Sequence, residues 1–293
     1  MATLRDIKRR IVGVKNTQKI TRAMKMISAA KLRRAQSRIV NARPYANKIS
    51  EMLSNLATEE DMATNPFFIQ KEVKNVAVVV VTADRGLCGA FNNNIIKEAA
   101  RYIDEELNAE GLNAFVYCVG KKSADYFSRR NYNVIEKDIG LFSSLDYSSA
   151  LKITDSLVSE FSKETYDKVV IIYNEFISMI RQKIQVQQFL PIPVLSSTEE
   201  KQVQQPNYIF EPDSGSIFNF LIPKHLKAQV WRSLLESNAA ELGARMTAMD
   251  NATTNAQEMI RSLNLTYNKE RQAAITKEIL EIVSGANALK ASS

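Results

Sequence analysis

Residues 16–36 read NTQKITRAMKMISAAKLRRAQ. The stretch holds neither Pro nor Gly and few β-branched residues, which is typical of a helix. Its large apolar side chains do not stay on one face, however, and basic side chains are interspersed among them. An ordinary surface helix separates its apolar and polar faces. This helix therefore needs an explanation beyond packing on a core.

A heptad repeat runs through the N-terminal part of the chain. Its a and d positions, called the seam here, can be followed from Leu4 to Leu56, and twelve of the sixteen are apolar. A 3.5-residue repeat of this length predicts a coiled coil. The four polar seam positions are consecutive, and they are Gln18, Thr21, Lys25 and Ser28.

In this polar stretch the large apolar residues lie outside the seam. Ile20 and Ile27 fall at c and Met24 falls at g. One interpretation is a local stutter that repacks the same pair of helices. The other is a second, outer surface on which the helix contacts another protein.

The C-terminal part repeats the design. Apolar residues keep the 4-3 spacing from Leu235 to Tyr267, and Glu270 interrupts it. We expect a helix from Pro223, which suits a first turn, to Gly285, which suits an end. Two heptad helices at opposite ends of one chain pair most simply with each other, antiparallel. The longer C-terminal helix then ends in a tip, apolar on several faces, that needs an apolar socket in another protein.

The middle of the chain predicts an open α/β sheet. The run Val76–Val81 is continuously apolar, as in a strand buried on both faces. Two further strands are NAFVYCVG at 113–120 and KVVIIYNEF at 168–176, with an added edge strand at 182–195. Helical patterns lie around 124–130 and 150–161. The fold class is thus α/β, a long antiparallel coiled coil with a central open, Rossmann-like domain.

The sequence predicts no catalytic residue, cofactor or metal. Gly86 and Gly89 give only G-x-x-G, with Asp84 in place of the first glycine of a dinucleotide-binding loop. No Walker A motif is present either. Cys88 has no histidine beside it in the sequence and is expected to be a small packed residue. The single histidine, His225, is expected at the surface or as a cap.

Charge is concentrated at the N-terminus. Residues 1–43 hold thirteen Lys or Arg and one acid, Asp6, whereas the whole chain carries only +7. Such a segment attracts an acidic partner. A basic coiled-coil nucleic-acid-binding protein is therefore the alternative function. The cations are spread around the helix, however, and no aromatic residue for base stacking lies between Met1 and Pro44.

No apolar run approaches the roughly 18 residues of a membrane span. The N-terminus lacks the apolar stretch of a secretory signal, and its basic pattern continues past the usual length of a transit peptide.

Several stretches resemble the gamma subunits of F-type ATP synthases. Residues 16–36 and ARPYA at 42–46 match the N-terminal helix of that family, and TADRGLCGAFN at 82–92 resembles the motif that opens its α/β domain. IFEPD at 209–213 resembles part of its foot. Residues 238–253 and 267–289 match its C-terminal helix. The resemblance covers essentially the whole chain.

The resemblance implies a non-catalytic rotor shaft. Ion flow would turn the membrane c-ring, the ring would turn this chain, and the chain would drive the catalytic alpha/beta hexamer through its conformational cycle. The implied partners are the alpha and beta subunits, the epsilon subunit and the c-ring, with no nucleic acid. Membrane association would be indirect and peripheral, at the cytoplasmic face of a bacterial plasma membrane.

The resemblance also implies residue roles. The implied foot contacts with the c-ring and epsilon are Tyr208 and Glu211. The domains we expect are an N-terminal coiled-coil helix at 1–57, a central α/β domain at 70–212 and a C-terminal coiled-coil helix at 213–293. The expected hexamer contacts are Ile20, Met24, Lys25, Ile27, Arg245, Arg271, Thr276 and Ile279.

Overall fold

The structure is a computed structural model that describes residues 3–56, 63–179, 181–193, 211 and 213–291, the last four of them by backbone only. The chain divides into two compact units. One, the helix-pair unit, consists of Met1–Ile27 and Met246–Ser293. The other, the α/β unit, is Ser28–Arg245.

The α/β unit contains a five-stranded sheet of order β3-β2-β1-β4-β5. The first four strands are mutually parallel, and β5 adds to β4 as an antiparallel edge. This confirms the predicted open α/β sheet and its added edge strand. The strands are β1 Asn75–Val81, β2 Asn113–Val119, β3 Val134–Asp138, β4 Lys168–Phe176 and β5 Gln182–Leu190.

Helices cover both faces of this sheet. The shorter helices are α2 Phe91–Arg101, continued by a π-helical stretch Tyr102–Leu107, α3 Lys121–Ser128 and α4 Tyr147–Ser162. Alternate residues of β1 serve opposite faces, because side chains of a strand alternate. Val76, Val78 and Val80 belong to a core with residues of α2 and α3. Ala77, Val79 and Val81 belong to a second core, which includes residues of α4 and of both long helices.

The two long helices are α1, Leu4–Leu56, and α5, Ser214–Ala291. Every one of the sixteen predicted seam positions of α1 is buried or half-buried. The seam of α5 from Leu235 to Tyr267 behaves in the same way. Cross-helix contacts pair Thr21 with Thr253 and Lys25 with Asp250. Rising numbers on α1 thus meet falling numbers on α5, which confirms the antiparallel pair.

The predicted limits of the C-terminal helix, Pro223 and Gly285, are both wrong, because the helix runs from Ser214 to Ala291. The helix begins at Ser214, where Asp213 accepts hydrogen bonds from the Ser216 backbone N–H at 2.7 Å and from the Ser216 hydroxyl at 2.7 Å. A carboxylate in this position satisfies a free N–H of the first turn. These bonds also lower the pKa of Asp213. Pro223 lies inside the helix with its side chain exposed.

The expectation for His225 is wrong as well. The ring is buried, with 3% exposure, and its Nε2 lies 2.8 Å from the side-chain nitrogen of Gln229 one turn later. Burial lowers the pKa of His225 to about 4. The imidazole is therefore neutral at pH 7 and serves as a packed part of α5.

Candidate interaction surfaces of the long helices

The polar stretch of the seam is paired across the two helices. The hydroxyl oxygens of Thr21 and Thr253 lie 2.8 Å apart, and Lys25 Nζ lies 2.6 Å from Asp250 Oδ1. Gln18 donates to the side-chain oxygen of Gln257. The seam therefore continues in register through this stretch, and a stutter is not needed to explain its polarity. Polar contacts between side chains join α1 and α5 in this stretch, whereas apolar packing joins them in the rest of the seam.

With the seam closed, the apolar residues outside it face away from the partner helix. The side chains of Ile20 and Ile27 are 60% and 58% exposed, and Met24 is half-buried. The structure adds Val12 and Met26, which are also exposed. Both fall at b in the same heptad count, so apolar residues at b were the signal that sequence reasoning missed. These five residues are called the outer apolar row below.

The tip, defined as residues 275–291 of α5, has no buried side chain in its described part. Residues 275–287 are all exposed, including Ile275, Ile279 and Val283. Arg271 and Thr276 are exposed too, and the Thr276 hydroxyl donates to the Gln272 carbonyl in the preceding turn. Arg271 and the tip residues thus expose cationic, polar and aliphatic side chains next to one another.

Glu270 interrupts the apolar pattern of the seam, but the two helices stay paired there. Glu270 and Ala274 are half-buried, so the 4-3 spacing continues beyond Tyr267. The antiparallel register explains why. Two heptads from the Thr21–Thr253 pair bring Ile7 opposite Tyr267, which leaves the first residues of α1 to cover the next turn of α5.

Arg245 is engaged within the chain. Its Nη1 donates to the carbonyl of Gly86 at 2.6 Å, its Nε donates to Glu241 Oε1 at 2.6 Å, and its side chain is 13% exposed. The heptad count places Arg245 beside the seam, and in the structure the loop after β1 accepts hydrogen bonds from its guanidinium.

Glu236 is a buried carboxylate that the sequence analysis did not single out. Arg43 Nε and Nη2 donate to its Oε1 at 3.0 and 2.8 Å, and the Phe176 backbone N–H donates to Oε2 at 3.1 Å. The carboxylate joins α1, α5 and the end of β4. A single sequence gave no signal for it, because the three partners lie far apart in the chain.

The loop after β1 is a packed structural turn. Cys88 is 1% exposed, its Sγ accepts a hydrogen bond from Asn92 at 3.1 Å, and burial raises its pKa. Cys118 is buried on β2, and neither cysteine is bonded. Low thiolate content and low access make both thiols unreactive.

Of the two expected foot residues, Glu211 is exposed in a bend just before α5. Tyr208 lies outside the described residues. Among the described residues no group of three or more His, Cys, Asp and Glu side chains is placed to hold a metal ion. No helix in the described parts of the chain is long and apolar enough to cross a membrane.

Comparison with known proteins gives a consistent result. The family described as ATP synthase matches residues 3–289. The chain is 50% identical to the ATP synthase gamma chain of Chlorobaculum parvum, over 99% of this chain and all of the relative. It is 49% identical to the ATP synthase gamma chain of Chloroherpeton thalassium, over the full length of both.

Solved structures agree with the fold. A chain from the central stalk and c-ring structure of the Tetrahymena thermophila mitochondrial ATP synthase matches with a TM-score of 0.62 at 25% identity, over 80% of this chain and 99% of that chain. A chain of the Euglena gracilis mitochondrial ATP synthase matches with a TM-score of 0.71 at 21% identity, over 99% and 95%. The second likeness shows the same fold.

Proposed function

The chain belongs to the family of ATP synthase gamma chains, and from this membership we propose that it is the central rotor shaft of an F-type ATP synthase. It is a non-catalytic subunit of that complex. Its partners are the alpha and beta subunits of the catalytic hexamer and the rotor ring in the membrane. The alternative, a basic coiled-coil nucleic-acid-binding protein, has no support in these relatives.

One observation supports the proposal that the chain rotates within the hexamer. The polar seam is satisfied inside the helix pair, while Ile20 and Ile27 stay about 60% exposed on its outside. A surface that must move past a housing should make contacts without fixed geometry. Apolar contacts are non-directional and meet this need, whereas hydrogen bonds and ion pairs are directional. The chain therefore keeps its directional bonds for the pair and offers apolar groups to the hexamer.

We extend this to named hexamer contacts. Ile20, Met24 and Ile27 supply apolar contact, and Lys25 supplies a positive charge. Lys25 is half-buried and paired with Asp250 at 2.6 Å, so its charge is partly neutralised within the chain. Its role includes holding the helix pair together at this level.

On the C-terminal helix the proposed hexamer contacts are Arg271, Thr276 and Ile279. All three are exposed, which supports their availability to another protein. Arg245 remains a prediction as a hexamer contact, but its bonds to Glu241 and Gly86 favour a positioning role.

The foot of the rotor is proposed to include Glu211 and Tyr208, which would meet the c-ring and the epsilon subunit. The exposure of Glu211 supports this for the described residue. We also propose the division into an N-terminal helix at 1–57, a central domain at 70–212 and a C-terminal helix at 213–293.

The chain is part of a membrane-associated complex. We propose that it associates with the membrane indirectly and peripherally, through the rotor ring, at the cytoplasmic face of a bacterial plasma membrane. The most similar relatives quoted above are bacterial, which supports this placement.

Reconstitution tests the function. The purified chain, mixed with alpha and beta subunits, should yield a complex with one copy per hexamer and with ATPase activity that the chain alone lacks. A salt titration with duplex DNA is the control for the nucleic-acid-binding alternative. Tight DNA binding that falls steeply with salt, together with no hexamer assembly, would contradict the proposal.

A further inference from the structure

The long helix α5 contacts the sheet near the carboxyl ends of β1 and β4. In the strand order β3-β2-β1-β4-β5, the connection after β1 leads to α2 and β2 on one side, whereas β4 is reached through α4 on the other face. The carboxyl ends of β1 and β4 therefore flank the switch point of the sheet, where open α/β folds usually bind a ligand. Here side chains of the chain itself occupy that position.

The first attachment is at the end of β4. Glu236, which has no exposed side-chain surface, accepts the backbone N–H of Phe176, the last residue of β4, at 3.1 Å. Arg43 of α1 donates twice to the same carboxylate, at 2.8 and 3.0 Å. Both nitrogens donate to Oε1, which leaves Oε2 for the Phe176 N–H, and such charge-assisted bonds are stronger than neutral ones.

The second attachment is at the loop after β1. Arg245 donates to the carbonyl of Gly86 at 2.6 Å and to that of Arg85 at 3.4 Å. Glu241, one turn earlier on α5, holds the guanidinium from the other side. Its own burial raises the pKa of Glu241, and the nearby Arg245 opposes that shift.

The two attachments hold α5 on different sides. Nine residues separate Glu236 from Arg245, which is about 14 Å along the axis and about two and a half turns, so the two residues start on opposite sides of the helix. Gly243 lies seven residues after Glu236, on the same side, and a Cβ there would stand 3.4 Å from the carbonyl oxygen of Met179. A helix held on two sides, by the end of β4 and by the loop after β1, resists rotation about its own axis.

We infer that two contacts form the torque-bearing junction between α5 and the sheet: Glu236 with the backbone N–H of Phe176, and Arg245 with the carbonyl of Gly86. Arg43 and Glu241 hold the two side chains in place. This inference rests on the proposed rotor function. Arg43, Glu236 and Arg245 are positioning residues: they touch no substrate, and they keep the helix from turning relative to the sheet under load. The switch point, which would hold a ligand in an enzyme of this topology, holds the helix here.

The test measures stiffness in the assembled complex. A bead is attached to the α/β unit through Glu110→Cys, an exposed turn position, while the alpha/beta hexamer is fixed to a surface. Angular fluctuations of the stalled bead report torsional stiffness, and ions pumped per ATP in vesicles report coupling. The variants are Arg43→Ala, Arg245→Ala and the double variant. Val78→Ala, which trims the core on the opposite face of the sheet, is the control for general destabilisation.

We expect the double variant to widen the angular variance at least twofold and to lower the ions pumped per ATP. Each single variant should give values between those of the parent and the double variant. Val78→Ala should match the parent in stiffness and coupling, even if its melting temperature falls as much as that of the double variant. A double variant that assembles with parental stiffness and coupling would overturn the inference.

Should the double variant fail to assemble, the milder pair Glu236→Gln with Arg245→Lys is measured instead, and parental stiffness there would overturn the inference equally. A parent chain that does not assemble with the hexamer would overturn the proposed function, and this inference with it. A parent that assembles and rotates while both sets of variants behave normally overturns this inference alone.

Discussion

At the scale of single residues, two ionisable side chains, Glu236 and His225, are buried, and each is stabilised in a different way. Glu236 has no exposed side-chain surface yet carries a carboxylate, which is tolerable because Arg43 and a backbone N–H satisfy it. An ionised group that is buried without partners would be far less favourable. His225 is buried as well, and burial keeps its imidazole neutral.

Removal of Arg43 should be costly for the chain on its own. Arg43→Ala removes both side-chain hydrogen bonds to the buried Glu236 and leaves, among the described residues, only Arg232 Nε, 3.8 Å away, as its cation. Loss of hydrogen bonds to a charged group costs about 1.5–3 kcal/mol. Urea unfolding of the isolated chain measures the loss. Lys71→Ala is the matched control, because its partner Glu164 is exposed and surface pairs contribute about 1 kcal/mol or less. Equal losses in the two variants would contradict this account.

His225 should make stability depend on pH. Its folded pKa of about 4 lies below the ordinary value of 6.5, so the unfolded chain takes up the proton first as pH falls. The free energy of unfolding should therefore decrease from about pH 6.5 downward and level off near pH 4, by about 3 kcal/mol at most.

The His225→Gln variant removes this titration, so its stability should vary less across the same pH range. The comparison must be between variant and parent, because burial raises the pKa of Glu241 and gives the opposite trend. Parallel curves for the two proteins would show that His225 does not contribute.

At the scale of helices, the register of α1 and α5 decides which surfaces are left for other proteins. The pairs Thr21–Thr253 and Lys25–Asp250 close the seam where apolar seam residues are missing. Helix α1 begins at Leu4, and in this register its first turn lies beside α5 near Glu270 and Ala274. The exposed tip of α5 begins directly after these residues.

Deletion of the tip from Ile279 onward should affect assembly more than folding. The described side chains removed are exposed, so the thermal unfolding midpoint of the isolated chain should move little. Affinity for the hexamer should fall, because each aliphatic side chain buried in a socket contributes roughly 1.5–3 kcal/mol. A large loss of thermal stability in the truncated chain alone would show that the tip packs internally.

At the scale of the whole molecule, repeating patterns were predictable and single long-range contacts were not. The heptads predicted both helices because every turn repeats the signal, and the buried run at Val76–Val81 predicted β1 for a similar reason. Strand β3 was missed, because it is short, lies at the sheet edge and has three charged residues in a row after Val134 and Ile135.

The start of α5 was misplaced because Pro223 resembles a first-turn proline, whereas the capping group is Asp213. The partners of Glu236 and Arg245 could not be predicted either. Each depends on a backbone group, at Phe176 or Gly86, that meets the side chain only once the sheet has formed. The outer apolar row was predicted in part. Its c and g members, Ile20, Ile27 and Met24, were predicted, whereas its b members, Val12 and Met26, were not.

A reversible cross-link at Ile27 tests rotation most directly. Ile27→Cys is combined with a cysteine on the facing loop of one catalytic subunit, in an assembled complex. The native Cys88 and Cys118 are buried and do not compete. As control, Ile7→Cys with Tyr267→Cys joins the two helices two heptads from the Thr21–Thr253 pair, where both positions lie in the seam. Disulfides need Cα atoms within about 7 Å, so each bond reports one relative position.

We expect the Ile27 cross-link to stop steady ATP turnover and reduction to restore it, with no active-site residue changed. The Ile7–Tyr267 cross-link should leave turnover largely intact, because both helices move together. Continued ATP turnover and ion pumping with the Ile27 bridge formed in high yield would contradict the rotor function at its centre.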